Sequence, residues 1–307
     1  MNTGTTNSPR QYRSVVILGA ARSGTNMLRD TLAKIPGVGT WPCDEISYIW
    51  RHGNLRFPTD ELTPGHATPG VCQFIKRQFD RLADQQGLDC VLEKTCANTL
   101  RVGFVNRVLP DAYYIHLLRD GRDAAHSASE RWRSRLPLKV VLPKVRYAPL
   151  ADIPYYAYRF ARTSAYRIFG KEKRLEFWGP RFSGMTEALE QMSITEVAAL
   201  QWQRSVELTR EALREVPPHR VITLHYEDLV ANPALVVGQL AQFIGKPISS
   251  QDALKMTTRI NSNSIGRAAA ELGPHLLAKI ETMMADTLKS VGYKLRSPQE
   301  FRIPQAA

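Results

Sequence analysis

An apolar run that breaks at a glycine and resumes as a helix marks where this chain could hold a phosphate group: Ser14-Val-Val-Ile-Leu-Gly-Ala-Ala-Arg-Ser-Gly-Thr-Asn-Met-Leu28. Backbone N–H groups of such a loop, with the positive end of the following helix, bind an anion without further help. Gly19 and Gly24 have the spacing of a Walker A loop, but Thr25 stands where the lysine that reaches the β- and γ-phosphates belongs. The cation lies inside the loop instead, as Arg22, followed by Ser23, Gly24, Thr25 and Asn26. A nucleoside triphosphatase is hard to build without that lysine, whereas a 5′-phosphosulfate can be gripped by a cation placed ahead of Ser-Gly-Thr.

The elements that must position this loop follow an alternating pattern. Val15 to Ala21 reads as the first strand, Cys90–Glu93 as a short strand, Asn98–Leu109 as a helix and Tyr113–Leu118 as an apolar, β-rich strand. Ala124–Trp132 continues as a helix, Ile194–Glu215 as a long helix and Arg220–His225 as a strand, with helices over Ala234–Ile244 and Leu276–Val291. This order predicts an α/β fold of the P-loop type, three-layered, with a central parallel sheet flanked by helices and an active site at the carboxyl ends of the strands. The 307 residues, 43% hydrophobic, suffice for one domain spanning 1–307 with an insertion at about 133–193.

After the strand ending at Leu118 comes Arg119-Asp-Gly-Arg-Asp-Ala-Ala-His-Ser127. With the loop around Arg22, this segment resembles the sulfotransferases that use 3′-phosphoadenosine-5′-phosphosulfate (PAPS), which place an arginine at a strand end and a serine eight residues on. The resemblance implies that Arg22 holds the 5′-phosphosulfate, and that the fork of Arg119 and the hydroxyl of Ser127 recognise the 3′-phosphate. The rival reading of Arg-Asp-Gly-Arg-Asp alone is a solvated turn with local ion pairs. His225-Tyr-Glu-Asp-Leu-Val-Ala-Asn-Pro233 is similar to a strand-to-helix segment of that family, which sets Tyr226 against the nucleotide or in the core. Asn261-Ser-Asn-Ser-Ile-Gly-Arg267 is similar to its late loop over the cofactor phosphates, making Ser264, Gly266 and Arg267 candidates, although such a loop is also ordinary helix-capping material.

Sulfuryl transfer needs an acceptor oxygen in line, a base for its proton and cations for the leaving oxygen; no metal is expected. Lys94, 25 residues before Arg119, sits where the resemblance implies a lysine near the sulfuryl group; the alternative is a surface lysine. The cytosolic small-molecule enzymes follow Lys-Thr with a catalytic histidine, but here the chain reads Lys94-Thr95-Cys96, and cysteine serves that role poorly. Tyrosylprotein and many carbohydrate sulfotransferases use a glutamate shortly after the first helix, and Asp44 and Glu45 fall at about that place. Glu45 is the expected base, with partial burial raising its proton affinity. Asp44, His52 and Glu93 are fallbacks, and Asp44 could instead cap the helix that follows.

The net charge of +12 is concentrated: Arg131 to Arg181 holds thirteen Lys/Arg, three acids and ten aromatic residues. Prolines 137, 143, 149 and 154 should break any long helix in the first half of this segment. Aromatic faces stack on sugar rings and arginines bind anions, so a saccharide, polysaccharide or glycolipid acceptor is expected, with peripheral contact at an anionic membrane compatible with the same surface. Alternatively the tyrosines fill a small core of their own, and a small hydroxylated metabolite is the competing acceptor. Cys43, Cys72, Cys90 and Cys96 show no metal-site or disulfide spacing, and no stretch reaches membrane-spanning length, so the expected location is cytoplasmic or peripheral at the inner membrane surface. Two rivals remain. An ATP- and Mg²⁺-dependent P-loop phosphotransferase lacks the lysine and a metal-binding carboxylate at a strand end, and a basic nucleic-acid-binding protein lacks any recognition pattern, so no nucleic acid is expected as partner.

Overall fold

The structure, a computed structural model, describes residues 11–134, 149–169 and 177–296. Five strands, β1 (Arg13–Leu18), β2 (Val38–Gly39), β3 (Cys90–Glu93), β4 (Tyr113–Leu118) and β5 (Val221–His225), form one parallel sheet in the order β2-β3-β1-β4-β5. β1 lies at the centre, with Val15 opposite Leu92 on one side and Tyr113 on the other. Alternate residues of β1 feed opposite cores, Val16 and Leu18 on one face and Val15 and Ile17 on the other. Both faces of β1 are therefore covered, which is why it reads as a largely apolar run.

Helices α1 (Thr25–Leu32), α2 (Ser47–Arg51), α3 (Pro69–Gln86), α4 (Val102–Val108), α5 (Gly121–Arg133) and α6 (Ile153–Phe169) come first along the chain. Then follow α7 (Met185–Gln191), α8 (Ile194–Leu213), α9 (Tyr226–Ala231), α10 (Pro233–Phe243), α11 (Ser250–Thr257), α12 (Arg267–Glu271) and α13 (Pro274–Ser290). α3 and α4 pack on one sheet face through Ile75, Phe79, Phe104 and Val105, and α1, α9 and α10 on the other through Leu28, Leu32, Leu229 and Leu240. A third core joins α5, α8 and α13, where Ala124, Ala125, Ala198 and Ala199 let α5 and α8 approach closely around Trp202. The three-layer α/β architecture is thus the one expected.

Several boundaries differ. β1 ends at Leu18 rather than Ala21, freeing residues 19–24 as a loop. The helix expected over Asn98–Leu109 is a 3₁₀ turn, Cys96–Leu100, and then α4, because Arg101 between them leaves helical geometry (φ −144°) and its buried guanidinium bonds Asn98 and Asp60. In the basic segment, Pro154 does not prevent a helix: it occupies the first turn of α6, where proline removes no hydrogen bond. His52 pairs with Asp152 at 2.8 Å and Tyr48 meets Tyr156 edge-on, tying the start of α6 to α2. Pro137 and Pro143 lie outside the described residues. Among the described residues no helix is long and apolar enough to cross a membrane.

Candidate active site

The carboxyl ends of β1, β3 and β4 open into a cleft of about 1050 Å³. Its floor is the loop between β1 and α1. Arg22 is the one described non-glycine residue with a positive φ (71°), a backbone state that costs energy and recurs at ligand sites. Gly24 (φ 86°) caps α1 with no side-chain bond, and a Cβ there would lie 2.5 Å from the Tyr226 ring. The loop is therefore compressed against that ring, as close backbone approach to a ligand requires.

Arg22 donates Nε to Ser127 Oγ at 3.0 Å. Partial burial, then the like charges of Arg119 and Arg131, lower its pKa; a bound anion would relieve this crowding of positive charge. Arg119 sits at the end of β4 and is buried. It donates Nη1 to the Arg22 carbonyl at 2.7 Å and Nη2 to the Ser264 carbonyl, and lies 4.7 Å above the Tyr226 ring. Arg119 thus ties three segments together, and the hydroxyl of Ser127 meets Arg22 rather than Arg119. Arg119 Nε is buried without a protein partner, the kind of orphaned donor that a bound phosphate would satisfy. Trp202 Nε1 donates to the Arg119 carbonyl at 3.0 Å, fixing the strand end.

Tyr226 belongs to the core and also reaches the cleft. It packs with Leu28 and Leu229 in a sheet-face core while its hydroxyl, bonded to Ser264 Oγ at 2.7 Å, borders the cleft. Sequence reading missed the residue that sets the late loop. Asp123 Oδ2 accepts from the Gly266 N–H at 2.7 Å and its Oδ1 from the Ala268 N–H at 2.8 Å, so the start of α12 is capped from α5. Arg267 borders the cleft but pairs with Glu271 and Glu130, whose hydrogen bonds raise its pKa. Those two carboxylates with His126 form the only described cluster within metal-ligand reach, and the guanidinium already bridges them. Thr25 and Asn26 line the cleft; Ser23 does not, its hydroxyl being buried beneath the loop without a partner.

Across from Arg22, β3 delivers Lys94. Its ammonium, 2% exposed, donates to Glu45 Oε1 at 2.9 Å, and the Cys96 N–H donates to the same oxygen at 3.2 Å. Burial alone would lower the Lys94 pKa, but Glu45 and then Cys96 carry it above the ordinary value. The surface-lysine alternative falls. Glu45 lines the cleft, and Arg29 holds its loop by donating to the Cys43 and Asp44 carbonyls. Asp44 also lines the cleft but does not cap α2, which starts from Ile46 with no side-chain cap. Cys96 is buried and its thiol is pushed up to about 12, chiefly by burial, so it stays protonated at neutral pH. Glu93 is fully buried behind the cleft, bonded by Asn98 at 2.8 Å, and His52 is engaged by Asp152. Tyr156 and Arg159 of α6, with Phe177, Trp178 and Arg181, complete the far wall.

A family model described as sulfotransferase domain matches residues 12–268. The structure is similar to the sulfotransferase domain of the olefin synthase of Synechococcus PCC 7002, at 17% identity and a TM-score of 0.54, covering 94% of this chain and 97% of that one. It is also similar to sulfotransferase STF9 of Mycobacterium avium, at 13% identity and a TM-score of 0.53, covering 93% and 78%. No curated protein sequence matches the chain significantly.

Proposed function

The chain belongs to the sulfotransferase family and so moves a sulfuryl group to a hydroxyl-bearing acceptor; from that premise we propose that the donor is PAPS, the base is Glu45 and the acceptor is a saccharide or glycolipid. The observation that carries the reading is the meeting, in one cleft, of a lysine-free phosphate loop with the Lys94–Glu45 pair. PAPS, when bound, supplies the sulfuryl group.

The residues divide the work by position. The loop N–H groups, Arg22, Thr25 and Asn26 hold the phosphosulfate end. Arg119, Ser127, Tyr226 and the Ser264–Arg267 loop hold the 3′-phosphate end. The Lys94 ammonium would stabilise the departing oxygen and Glu45 would take the acceptor proton. Lys94 and Glu45 share a hydrogen bond at rest, which would keep the cation and the base side by side at the reacting centre. The aromatic residues of α6 and of 177–178 suit a sugar face, within one domain whose insertion at 133–193 supplies acceptor contacts. A cytoplasmic protein, peripheral to an anionic membrane where the acceptor is a glycolipid, fits this surface.

Radiolabelled PAPS with a saccharide panel, and with water as acceptor, tests the chemistry. Glu45→Gln should abolish sulfuryl transfer while PAP, the desulfated product, binds as in the wild type. Full turnover by the variant moves the base to Asp44 or elsewhere.

A further inference from the structure

Arg119 and Asp120 stand where β4 has ended and α5 has not yet begun, so the peptide group that joins them lies outside both ladders and depends on side chains for its hydrogen bonds. Both of its polar groups are held. The Arg119 carbonyl accepts from Trp202 Nε1 of α8 at 3.0 Å, and the Asp120 N–H donates to Glu227 Oε1 of α9 at 3.1 Å. One peptide group is thus gripped from two sides, by residues 83 and 107 positions further along the chain.

Each grip is itself fixed. The second oxygen of Glu227 accepts from the Tyr293 hydroxyl at 2.8 Å, and the Tyr293 ring packs against the core of α5, α8 and α13 and meets His225 edge-on at 5.3 Å. Trp202 is buried, and a β-carbon on Gly121 would lie 2.7 Å from its ring, so the start of α5 closes tightly over it. Glu227 and Trp202 do not line the cleft, whereas Arg119 does, with the Tyr226 ring 4.7 Å from its guanidinium. Two consecutive residues of α9 therefore bear on one arginine, Tyr226 on the guanidinium and Glu227 on the backbone. A carboxylate in the first turn of α9 is ordinary pairing with the helix dipole; the bond to the Asp120 N–H is what this one adds.

We propose that Glu227 is a positioning residue: by holding the Asp120 N–H it fixes the strand end from which Arg119 reads the 3′-phosphate, and so sets how strongly PAP is preferred over the same nucleotide without that phosphate. This rests on the reading of Arg119 as the 3′-phosphate residue. A guanidinium bonds a phosphate well only when its fork is aimed, so a shift of its chain end weakens the contact without removing the charge. The sign separates this from a direct electrostatic effect. Removing a carboxylate near an anion site would, by charge alone, strengthen binding of the more highly charged ligand; loss of its grip weakens that binding.

The test titrates the full chain with PAP and with adenosine 5′-phosphate, which differ only in the 3′-phosphate. The wild type should bind PAP about tenfold or more tighter, and Arg119→Ala should lose most of that preference. A wild type without the preference, or an Arg119→Ala variant that keeps it, refutes the reading of Arg119 before Glu227 is touched, and this inference with it. Glu227→Ala should lose most of the preference through PAP alone, with adenosine 5′-phosphate held within about twofold. Glu227→Gln, whose amide oxygen can still accept from the Asp120 N–H, should keep the preference within about threefold of the wild type. Should Glu227→Ala not fold, Tyr293→Phe keeps the carboxylate but removes its brace and should lower the preference by about threefold. Neither change should lower it further in the Arg119→Ala background, because Glu227 acts through Arg119. An unchanged preference in Glu227→Ala, or in Tyr293→Phe where that is the variant that folds, overturns the proposal. So does an equal fall in both affinities, a loss in Glu227→Gln as complete as in Glu227→Ala, or a further loss in the Arg119→Ala background.

Discussion

Replacing Gly24 by alanine separates the two demands that the phosphate loop makes on its backbone. At φ 86° a β-carbon costs about 1–2 kcal/mol from left-handed geometry alone. The same β-carbon would lie 2.5 Å and 2.7 Å from two atoms of the Tyr226 ring, and overpacking of this kind adds about 1–3 kcal/mol. Gly184 supplies the control, because it also caps a helix at a similar φ (84°) but a β-carbon there meets nothing within 4 Å. Urea unfolding should therefore show Gly24→Ala costing about 1–3 kcal/mol more than Gly184→Ala. The displaced ring carries Arg119 and Ser264 with it, so PAP affinity should fall in the first variant and hold in the second. Equal stability losses, with PAP affinity intact in both, would refute the link between loop, Tyr226 and Arg119.

Two further predictions concern single buried or loop groups. Arg22→Ala should weaken PAP binding by about tenfold or more in calorimetry, as expected from losing a charge-assisted contact. Ser23→Ala, which removes a buried hydroxyl without a partner, should leave affinity near wild type and stability unchanged or improved by about 1 kcal/mol; equal losses of affinity would contradict this division. His116 is buried in β4, and its pKa is lowered to about 3, chiefly by burial. A base whose folded value lies below its unfolded value of about 6.5 contributes full stability above that value and loses it as pH falls, at about 1.4 kcal/mol per unit. Urea unfolding at pH 7 and pH 5 should show a drop in the wild type that is smaller by about 2 kcal/mol in His116→Gln; identical drops would contradict it.

Most of the sheet was legible because β1, β3 and β4 are buried on both faces. Cys90–Glu93 reads as a short strand and Tyr113–Leu118 as an apolar, β-rich one, and both stand as strands at those bounds. β2 was not, since two residues, Val38 and Gly39, carry no period. α3 escaped notice although its signals are present: Thr68 caps it by accepting from the Val71 N–H, Pro69 opens it and Gly87 closes it in the left-handed region. α6 was obscured by weighing Pro154 as a breaker when it falls in a first turn. At the site, the pairing of Lys94 with Glu45 joins residues 49 apart, and only the fold brings them together. Asp123 and Asp60 act by gripping backbone N–H groups of distant segments. An isolated aspartate in a sequence gives no sign of such a role.

Calorimetric titration with PAP, set beside ATP and ADP with and without Mg²⁺, decides whether the cleft is built for a phosphosulfate donor. PAP should bind tightly and without dependence on Mg²⁺, and the other two much more weakly. Preference for ATP in the presence of Mg²⁺ would contradict this and point to phosphoryl transfer.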